Sequence, residues 1–196
     1  MITQKGTTSF FMEEKSAVGA GPSVVETFVP TDAIGVCRSP LGMESGVIPD
    51  ESITASSHWD ADLVANNGRL NAVDGFGAWA AANSAVGEFL QVDFGHMKRV
   101  TGTIVQGRNV GVDQWVTSYK LQYSREATTW ATYTVNDGSE KVFPGNTDRS
   151  TPVMNLLATD IDARYVRFVI QTWHNHVSMR AEILGCNIDG RFLSKS

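Results

Sequence analysis

The chain has 196 residues, of which 42% are hydrophobic and 19% charged, a composition that fits one globular domain with tails. Its net charge of −5 provides no basic field for DNA or RNA, which excludes a nucleic-acid partner. No apolar run approaches the ~20 residues of a membrane-spanning helix, and the first residues lack the long apolar core of a secretory signal.

The first part of the chain, residues 1–36, differs in composition from the rest of the chain. It contains a Gly- and Pro-rich stretch at 19–22, several Ser and Thr, and two short apolar pieces. This composition predicts an N-terminal extension or linker. A patterned domain is predicted over residues 37–186, followed by a C-terminal tail over 187–196.

Cys37 and Cys186 lie at the two ends of the patterned region. Their placement predicts one disulfide between the first strand and the last, formed in an oxidising compartment. Closing a loop of this length stabilises the fold by about 4–5 kcal/mol in the chain-entropy description. The alternative is a pair of buried free thiols in a cytosolic protein. The disulfide favours an extracellular location, secreted or at the cell surface.

Five segments between the cysteines alternate apolar and polar residues, which predicts strands with one face on a core. They span residues 90–94, 100–104, 119–123, 166–170 and 177–183. The breaks carry turn dipeptides such as Asp74-Gly75 and Asp137-Gly138. No segment sustains a helical period. The pattern therefore predicts an all-β domain, either a sandwich or a barrel.

Eight short motifs follow one another in the order of one known family. They are Cys37-Arg-Ser-Pro-Leu-Gly42, Ile53-Thr-Ala-Ser-Ser57, Arg69-Leu70, Gly77-Ala-Trp79, Phe89-Leu-Gln-Val-Asp-Phe-Gly95, Val105-Gln-Gly-Arg108, Arg164-Tyr-Val-Arg-Phe168 and Glu182-Ile-Leu-Gly-Cys186. Their order resembles the discoidin domain, also called the coagulation factor five/eight type C domain, over about residues 37–186. The resemblance implies a terminal disulfide and a distorted jelly-roll β-barrel of about eight strands, whose loops at one end bind ligand.

Two further stretches, residues 106–120 and 172–180, are similar to the N-terminal domains of the slime-mould discoidin lectins. They are less similar to retinoschisin and to the milk-fat-globule adhesion protein. The discoidins carry Arg-Gly-Asp in the first of these stretches, whereas this chain has Arg108-Asn109-Val110. Integrin binding through that motif is therefore not expected here.

A sugar site needs a hydrogen-bond acceptor for hydroxyls, a donor for sugar oxygens and a flat aromatic face for the C–H side of a pyranose. Asp74, Arg108 and Trp115 have these chemical types. In the discoidin lectins the matching residues are associated with galactose or N-acetylgalactosamine binding, so the resemblance implies the same roles here. The predicted ligand-binding set adds four neighbours in the same loops: His58, Trp59, Gly75 and Asn109.

Each member of the trio also has a structural interpretation. In that interpretation Arg108 braces the loops through a carboxylate such as Asp113, Asp74 caps its own turn, and Trp115 is an aromatic at the core edge. Trp79 is interpreted as a core residue.

The loop of residues 58–68 matches the first binding spike of lipid-binding relatives. It offers Trp59, Leu63 and Val64 for insertion into a membrane, but Asp60 and Asp62 lie beside them. Carboxylates oppose attraction to anionic headgroups. Binding to phosphatidylserine membranes is therefore the alternative to sugar binding, and a protein–protein adhesion module is the third hypothesis.

Asp60, Asp62 and Asn66, with Asn67 beside them, are hard oxygen ligands of the kind that hold a structural calcium ion, although their spacing does not match an EF-hand. The alternative, which is the commoner case, is a set of solvated loop side chains. His174 and His176 lie two apart, and on a strand they would share a face, but no third zinc ligand stands at a convincing spacing.

No nucleophile elbow, phosphate loop or spaced carboxylate pair marks a catalytic site, which predicts a binding module and not an enzyme. The leading hypothesis is a lectin-like adhesion or glycan-recognition module for galactose or N-acetylhexosamine residues. Its partners would be glycans or glycoproteins at cell surfaces. Homo-oligomerisation or display on cells would supply avidity, because linked weak sites gain through effective concentration.

Overall fold

The computed structural model describes residues 37–188, which form an antiparallel sheet curled into a half-barrel. Its strands are β1 Ser39–Pro40, β2 Ile53–Ala55, β3 Trp79–Ala80, β4 Phe89–Gln106, β5 Trp115–Ser124, β6 Ala131–Thr132, β7 Phe143–Pro144, β8 Val153–His174 and β9 Ser178–Asn187. In this part of the chain the helical segments are two 3-10 turns, Asp50–Ser52 and Ala65–Gly68. The all-β jelly-roll prediction is confirmed, with nine strands.

The domain limits predicted at 37 and 186 stay a prediction. The predicted extension over residues 1–36 lies outside the described residues, as does most of the predicted tail. β9 continues through Asn187, one residue beyond the predicted domain end. Within residues 37–188 no helix is long and apolar enough to cross a membrane.

The sheet is organised around its two longest strands, β4 and β8. Its order is β1-β9-β4-β8-β5-β6, with β2 on β4, β3 on β9 and β7 on β5. Trp115 at the start of β5 pairs with His174 at the end of β8, and Gln106 at the end of β4 pairs with Arg180 near the start of β9. The Arg108 amide donates to the Gln114 carbonyl at 3.0 Å, which closes the loop between β4 and β5 and brings these two pairs together. Four strand ends therefore meet at one end of the half-barrel, and the loops at this end are called the rim below.

The inner face of the sheet carries the core. Leu90 and Val92 on β4, Tyr119 and Leu121 on β5, and Phe168 on β8 are all fully buried. These positions belong to the alternating segments, and their inward orientation confirms the pattern. Burying each such side chain stabilises the fold by about 1.5–3 kcal/mol. Trp79, interpreted as a core residue, is also fully buried and donates its indole N–H to the Ser57 carbonyl.

The alternation predicted for residues 100–104 is not observed. Residues 100–103 are all buried, and Ile104, which was predicted to face inward, is half-buried while the next residue, Val105, is fully buried. The register of β4 against both β8 and β9 shifts between Val100 and Gly102. A one-residue slip exchanges the two faces of a strand, so the inward set changes there.

Both faces of β9 are buried. Met179, Ala181 and Ile183 lie in the apolar core as predicted, but Arg180 and Glu182 on the opposite face are buried as well. The Glu182 carboxylate accepts hydrogen bonds from the backbone N–H groups of four residues. These are Gly42, Met43, Glu44 and Ile183, at 2.8–3.3 Å. The segment after β1 folds over this face and covers it.

The Cys37–Cys186 disulfide is confirmed, with 5.1 Å between the two Cα atoms and a sequence separation of 149. Cys186 lies in β9, and Cys37 lies just before β1, which pairs with β9. The bridge therefore joins the first strand to the last. A disulfide of this kind forms and persists in oxidising compartments.

Candidate binding site at the rim

Backbone hydrogen bonds join the loops of the rim into one surface. The Trp59 and Phe76 amides donate to Ala80 and Asp62, and the Asn109 amide donates to the Gly77 carbonyl at 3.2 Å. Gly77 has a positive φ of 68°, and an added Cβ would lie 3.0 Å from the Asn109 Cβ. Glycine is therefore required where these two loops touch.

The rim contains a small cavity of about 180 Å³. It is lined by Trp59, Leu63, Ala80, Arg108, Val112, Gln114 and His176. This volume is below the ~300–1,000 Å³ of pockets that enclose drug-sized ligands. The cavity suits one small ring or the end of a longer chain.

Arg108 is held in a fixed position at this cavity. Its Nε donates to the Phe76 carbonyl at 3.2 Å and its Nη1 donates to the Gln114 Oε1 at 2.9 Å. Burial lowers the pKa of the Arg108 guanidinium, and the nearby charge of Asp60 opposes this effect. Among the described residues Nη2 has no partner, which leaves a donor for a ligand. The suggested pair with Asp113 is wrong, because Asp113 pairs instead with Arg149 at 3.3 Å.

Trp59 and His176 form the aromatic side of the cavity. The two rings meet edge to face, with 5.1 Å between their centroids. The His176 ring nitrogens hydrogen-bond with Ser84 Oγ at 2.9 Å and the Ala81 carbonyl at 2.8 Å, so this ring is fixed. Trp59 is 60% exposed and presents its indole to solvent.

The loop tips carry an exposed apolar set, called the apolar crown here. It consists of Trp59, Phe76, Val110 and Val112. The surrounding carboxylates are also exposed, at Asp60, Asp62, Asp74 and Asp113. The rim therefore combines apolar tips with a negative surround.

Two buried polar residues lie beneath the rim and hold its loops. Arg180 donates to the carbonyls of Gly107 at 2.8 Å, Arg149 at 3.0 Å and Ala72 at 3.4 Å. Gln106 accepts from the Asn71 amide and donates to the Asn71 Oδ1 and to the Ser150 carbonyl, at 2.9 Å each. Burial lowers the pKa of the Arg180 guanidinium, which has no carboxylate partner among the described residues.

Comparison with known sequences decides the family. The profile of the F5/8 type C domain matches residues 52–183, about two thirds of the chain. The chain belongs to the F5/8 type C domain family. The predicted resemblance is thereby confirmed, and the family is one of non-enzymatic binding modules, which confirms the prediction that the chain is not an enzyme.

Several relatives support the assignment. Lactadherin of Bos taurus is 40% identical over 158 residues, which cover 76% of this chain and 37% of lactadherin. Retinoschisin of Mus musculus is 38% identical over 164 residues, which cover 79% of this chain and 72% of retinoschisin. The structure of discoidin II from Dictyostelium discoideum has a TM-score of 0.62 at 30% identity, covering 68% of this chain and 53% of discoidin II. The chain spans little more than a third of the lactadherin that it matches.

The predicted trio is spread over this F5/8 type C rim. Of the three residues, Arg108 lines the cavity, and Asp74 and Trp115 do not. Trp115 stacks on His174, with 4.2 Å between ring centroids and 11° between planes, and neither ring lines the cavity. The exposed Asp74 carboxylate has no hydrogen-bond partner among the described residues. The Asp74 turn is closed by the backbone carbonyl of Asp74, which accepts from the Gly77 amide, so the carboxylate does not cap the turn.

The four predicted neighbours have different surroundings. Trp59 lines the cavity, and His58 is exposed beside it with no hydrogen bond from its ring among the described residues. The backbone amide of Asn109 donates to the Gly77 carbonyl in the neighbouring loop. Gly75 has a φ of +55°, and an added Cβ would collide with the Asp62 carbonyl, so this glycine shapes the loop.

The residues predicted to hold calcium do not form a convergent set of side chains. The Asp60 carboxylate caps the Asp62 amide at 3.0 Å, and the Asp62 carbonyl accepts from Asn67 and Phe76. The Asn66 side chain lies near Asp50, whose carboxyl pKa is lowered above all by hydrogen bonding to Arg69 and least by Asn66. Residues 37–188 contain no cluster of three or more His, Cys, Asp or Glu placed for a metal.

The two histidines do not share a face. β8 ends at His174, and Asn175 follows with a positive φ of 58°. This turn sends His174 to the Trp115 stack and His176 to the rim cavity. The geometry therefore fits the sequence argument against a zinc pair.

Sequence reasoning missed Gln114 and His176, which complete the cavity. The Gln114 Oε1 accepts from both Arg108 and Ser178, the latter at 3.1 Å, while its Nε2 has no partner among the described residues. Both residues lie within the stretches similar to the discoidin lectins, so that resemblance was the signal that could have selected them.

Proposed function

We propose that this chain is a carbohydrate-binding module that takes a terminal galactose or N-acetylhexosamine residue at the rim cavity. One observation carries the proposal: Arg108, fixed by Gln114 and by the Phe76 carbonyl, faces the same small cavity as the exposed indole of Trp59. A fixed guanidinium beside an aromatic face is the combination that a pyranose requires.

The free hydrogen-bonding groups suit sugar hydroxyls. Arg108 Nη2 and Gln114 Nε2 would donate to sugar oxygens. Asp60, whose charge acts on Arg108, would accept from a hydroxyl, and Asp74 on the adjacent loop offers a second carboxylate. The C–H face of the ring would lie on Trp59, which takes the stacking role first predicted for Trp115.

The size of the cavity supports recognition of a single terminal ring, and such sites are weak when isolated. Homo-oligomerisation or display on a cell surface would raise the effective concentration of linked sites. The partners would then be glycans or glycoproteins outside the cell, a location that the disulfide supports.

A glycan array, followed by retention on galactose resin and release by free galactose, tests the proposal. Arg108→Ala and Trp59→Ala should each weaken retention by at least about tenfold. Arg38→Ala is the matched control, because Arg38 is exposed and lies near the disulfide, away from the rim. Binding to no glycan, or equal retention by the wild type and both rim variants, would overturn the proposal. Repeating the array with EDTA tests the calcium prediction separately.

A second candidate function, peripheral binding to anionic membranes, is supported by the apolar crown. The exposed Phe76 and the two exposed valines of the crown would enter the lipid surface beside Trp59. Leu63, which the sequence offered for insertion, is 2% exposed and cannot take part. The negative surround opposes attraction to phosphatidylserine.

Vesicle sedimentation separates the two functions. Binding to phosphatidylserine vesicles that falls with added salt and is lost in Phe76→Ser, while galactose retention is unchanged, would favour the membrane. Vesicle binding absent at low salt would remove this candidate.

A further inference from the structure

A second and larger depression lies at the far end of β5, beyond the last pair of β5 with β8, Ser124–Tyr165. It is a groove of about 920 Å³. Its walls come from β5 and the loop after it, from Trp130 and Ala131, and from residues 158–162 of β8. β5 runs from Trp115 at the rim to Ser124 at this groove, a distance of about 30 Å at ~3.3 Å per residue.

One wall of the groove is a sheet edge. β5 pairs with β8 only from Tyr165 onward, and β4 pairs with the other edge of β8. No strand among the described residues pairs with the second edge of β8 before Tyr165. Such an edge presents N–H and C=O groups that an added strand can use.

A β-bulge interrupts the regular pairing of β8 with β4 where β8 lines the groove. Between the pairs Val100–Ile161 and Gly102–Leu156, Thr101 alone lies opposite residues 157–160 of β8. The extra residues leave the ladder, and the Thr159 amide donates to the Tyr133 hydroxyl at 3.0 Å instead. Such an irregular stretch limits indiscriminate pairing along the edge.

The groove walls carry more carboxylates than guanidinium groups. Arg99 donates to both Asp162 oxygens, at 3.0 and 3.2 Å. Arg125, Glu126 and Asp160 also line the groove, and these three are exposed and have no ion pair within 4 Å in the described part of the chain. The unmatched groups are thus two carboxylates and one guanidinium, which favours a ligand with a positive charge.

Trp130 makes the opposite wall rigid. Its ring carries the Arg167 guanidinium at 3.7 Å, and its indole N–H donates to the Ala127 carbonyl at 3.2 Å. The other face of Arg167 covers Phe89, at 4.1 Å. A wall fixed in this way loses little side-chain entropy when a partner binds.

We infer that this groove binds an extended peptide segment of a partner protein, which adds as a short strand to the free edge of β8 and places a Lys or Arg between Glu126 and Asp160. The edge supplies main-chain hydrogen bonds, and the carboxylates select the side chain. A saccharide is less favoured, because its hydroxyl groups do not repeat at the spacing of the backbone N–H and C=O groups along the sheet edge. This inference does not depend on the proposed sugar site.

Selection from a phage library of random linear peptides of about six residues, the usual length of a strand, provides the probe. Selected peptides should carry a basic residue flanked by alternating β-forming residues. A synthetic copy of the best peptide should shift the backbone NMR signals of residues 158–163 and leave the rim signals unchanged. N-methylation at alternate residues should weaken binding by at least about tenfold when it removes the donating amides, and not when it falls on the other set.

The double variant Glu126→Gln, Asp160→Asn should weaken the same peptide by at least about fivefold, because exposed charges contribute modestly. Glu51→Gln is the control, since Glu51 is an exposed acid on a 3-10 turn away from the groove. Three results would overturn the inference. They are selected peptides without basic residues, binding that is insensitive to N-methylation, and groove signals that respond to galactose but to no selected peptide.

Discussion

The two faces of β9 are equally buried and differently built. The inner face is apolar and packs Met179 and Ile183 into the core, whereas the outer face holds Arg180 and Glu182, whose hydrogen-bond partners are backbone groups. The inner face joins the strand to the sheet. The outer face joins the sheet to segments that have little regular structure of their own.

The difference shows how this fold supports a binding end. Loops expose backbone carbonyls and amides that need partners once they are buried. A charged side chain in the adjacent strand can satisfy several of them at once, as Arg180 does for three carbonyls and Glu182 for four amides. The rim is therefore positioned by the same strand that fills the core, through its opposite face.

The largest expected effect comes from removing the bridge that ties β9 to the start of the domain. Cys37→Ser with Cys186→Ser should lower the free energy of unfolding by about 4–5 kcal/mol, because the unfolded chain regains the entropy of a long open loop. Urea unfolding of the oxidised wild type and the double variant measures this. A loss below about 1 kcal/mol would show that the pairing of β1 with β9 is enough.

Glu182→Leu tests the polar face directly. It leaves four amides without an acceptor, three of them buried, and the free energy of unfolding should fall by about 3–4 kcal/mol in urea. Glu51→Leu, at an exposed acid, should change it by less than about 0.5 kcal/mol. Equal effects of the two substitutions would contradict the role given to the outer face.

Arg180→Met should have a smaller effect on stability and a specific effect on the rim. Three loop carbonyls lose their donor, which costs about 1–3 kcal/mol. Retention on galactose resin should fall by more than the unfolded fraction explains, and Arg180→Lys should restore part of it. Met179→Ala on the inner face is the control, because it should lower stability by about 2–4 kcal/mol and leave the retention of the folded protein unchanged. Rim signals that stay unchanged in the NMR spectrum of Arg180→Met would contradict the proposal that Arg180 holds the rim loops in place.

The smallest effect belongs to a polar pair outside β9. Arg164 donates to both oxygens of Asp93, at 2.8 and 2.9 Å, and this hydrogen bonding lowers the pKa of the Asp93 carboxyl below its ordinary 3.8. The contribution to stability is present above pH 3.8 and is lost as the pH falls through the lowered pKa. In Arg164→Gln the free energy of unfolding should therefore fall less steeply as the pH drops below about 4, and its pH dependence near pH 7 should match that of the wild type. An acid limb identical to that of the wild type would show that the partly exposed pair contributes nothing.

Much of the fold could be predicted, because an alternating pattern reports burial on one face of a strand. The pattern located the inner residues of β5 and the second half of β8, and the two cysteines located the ends that meet. It failed for Ile104 and Val105, which follow a shift of register that exchanges the faces of the strand. It also failed for the outer face of β9, because an alternating pattern does not show which loop will cover the polar side.

The site was less predictable for the same reason. Arg108 and Trp59 have the right chemistry and line the cavity, but Trp115 has the right chemistry and stacks on His174 outside it. Gln114, adjacent to Trp115, points into the cavity from the loop that precedes β5. Which of two adjacent side chains faces a ligand depends on where the strand begins.

The sequence by itself determined the all-β class and the bridge between the ends, because these follow from local pattern and residue chemistry, and its resemblance to the discoidin domain indicated the kinds of side chain at the rim. Tertiary structure alone decided that Arg180 and Glu182 are buried, that Trp59 and Gln114 meet Arg108, and that no strand within residues 37–188 pairs with the second edge of β8 before Tyr165. These features depend on register and on contacts between segments far apart in the chain, and such contacts leave no periodic trace in the residues that make them.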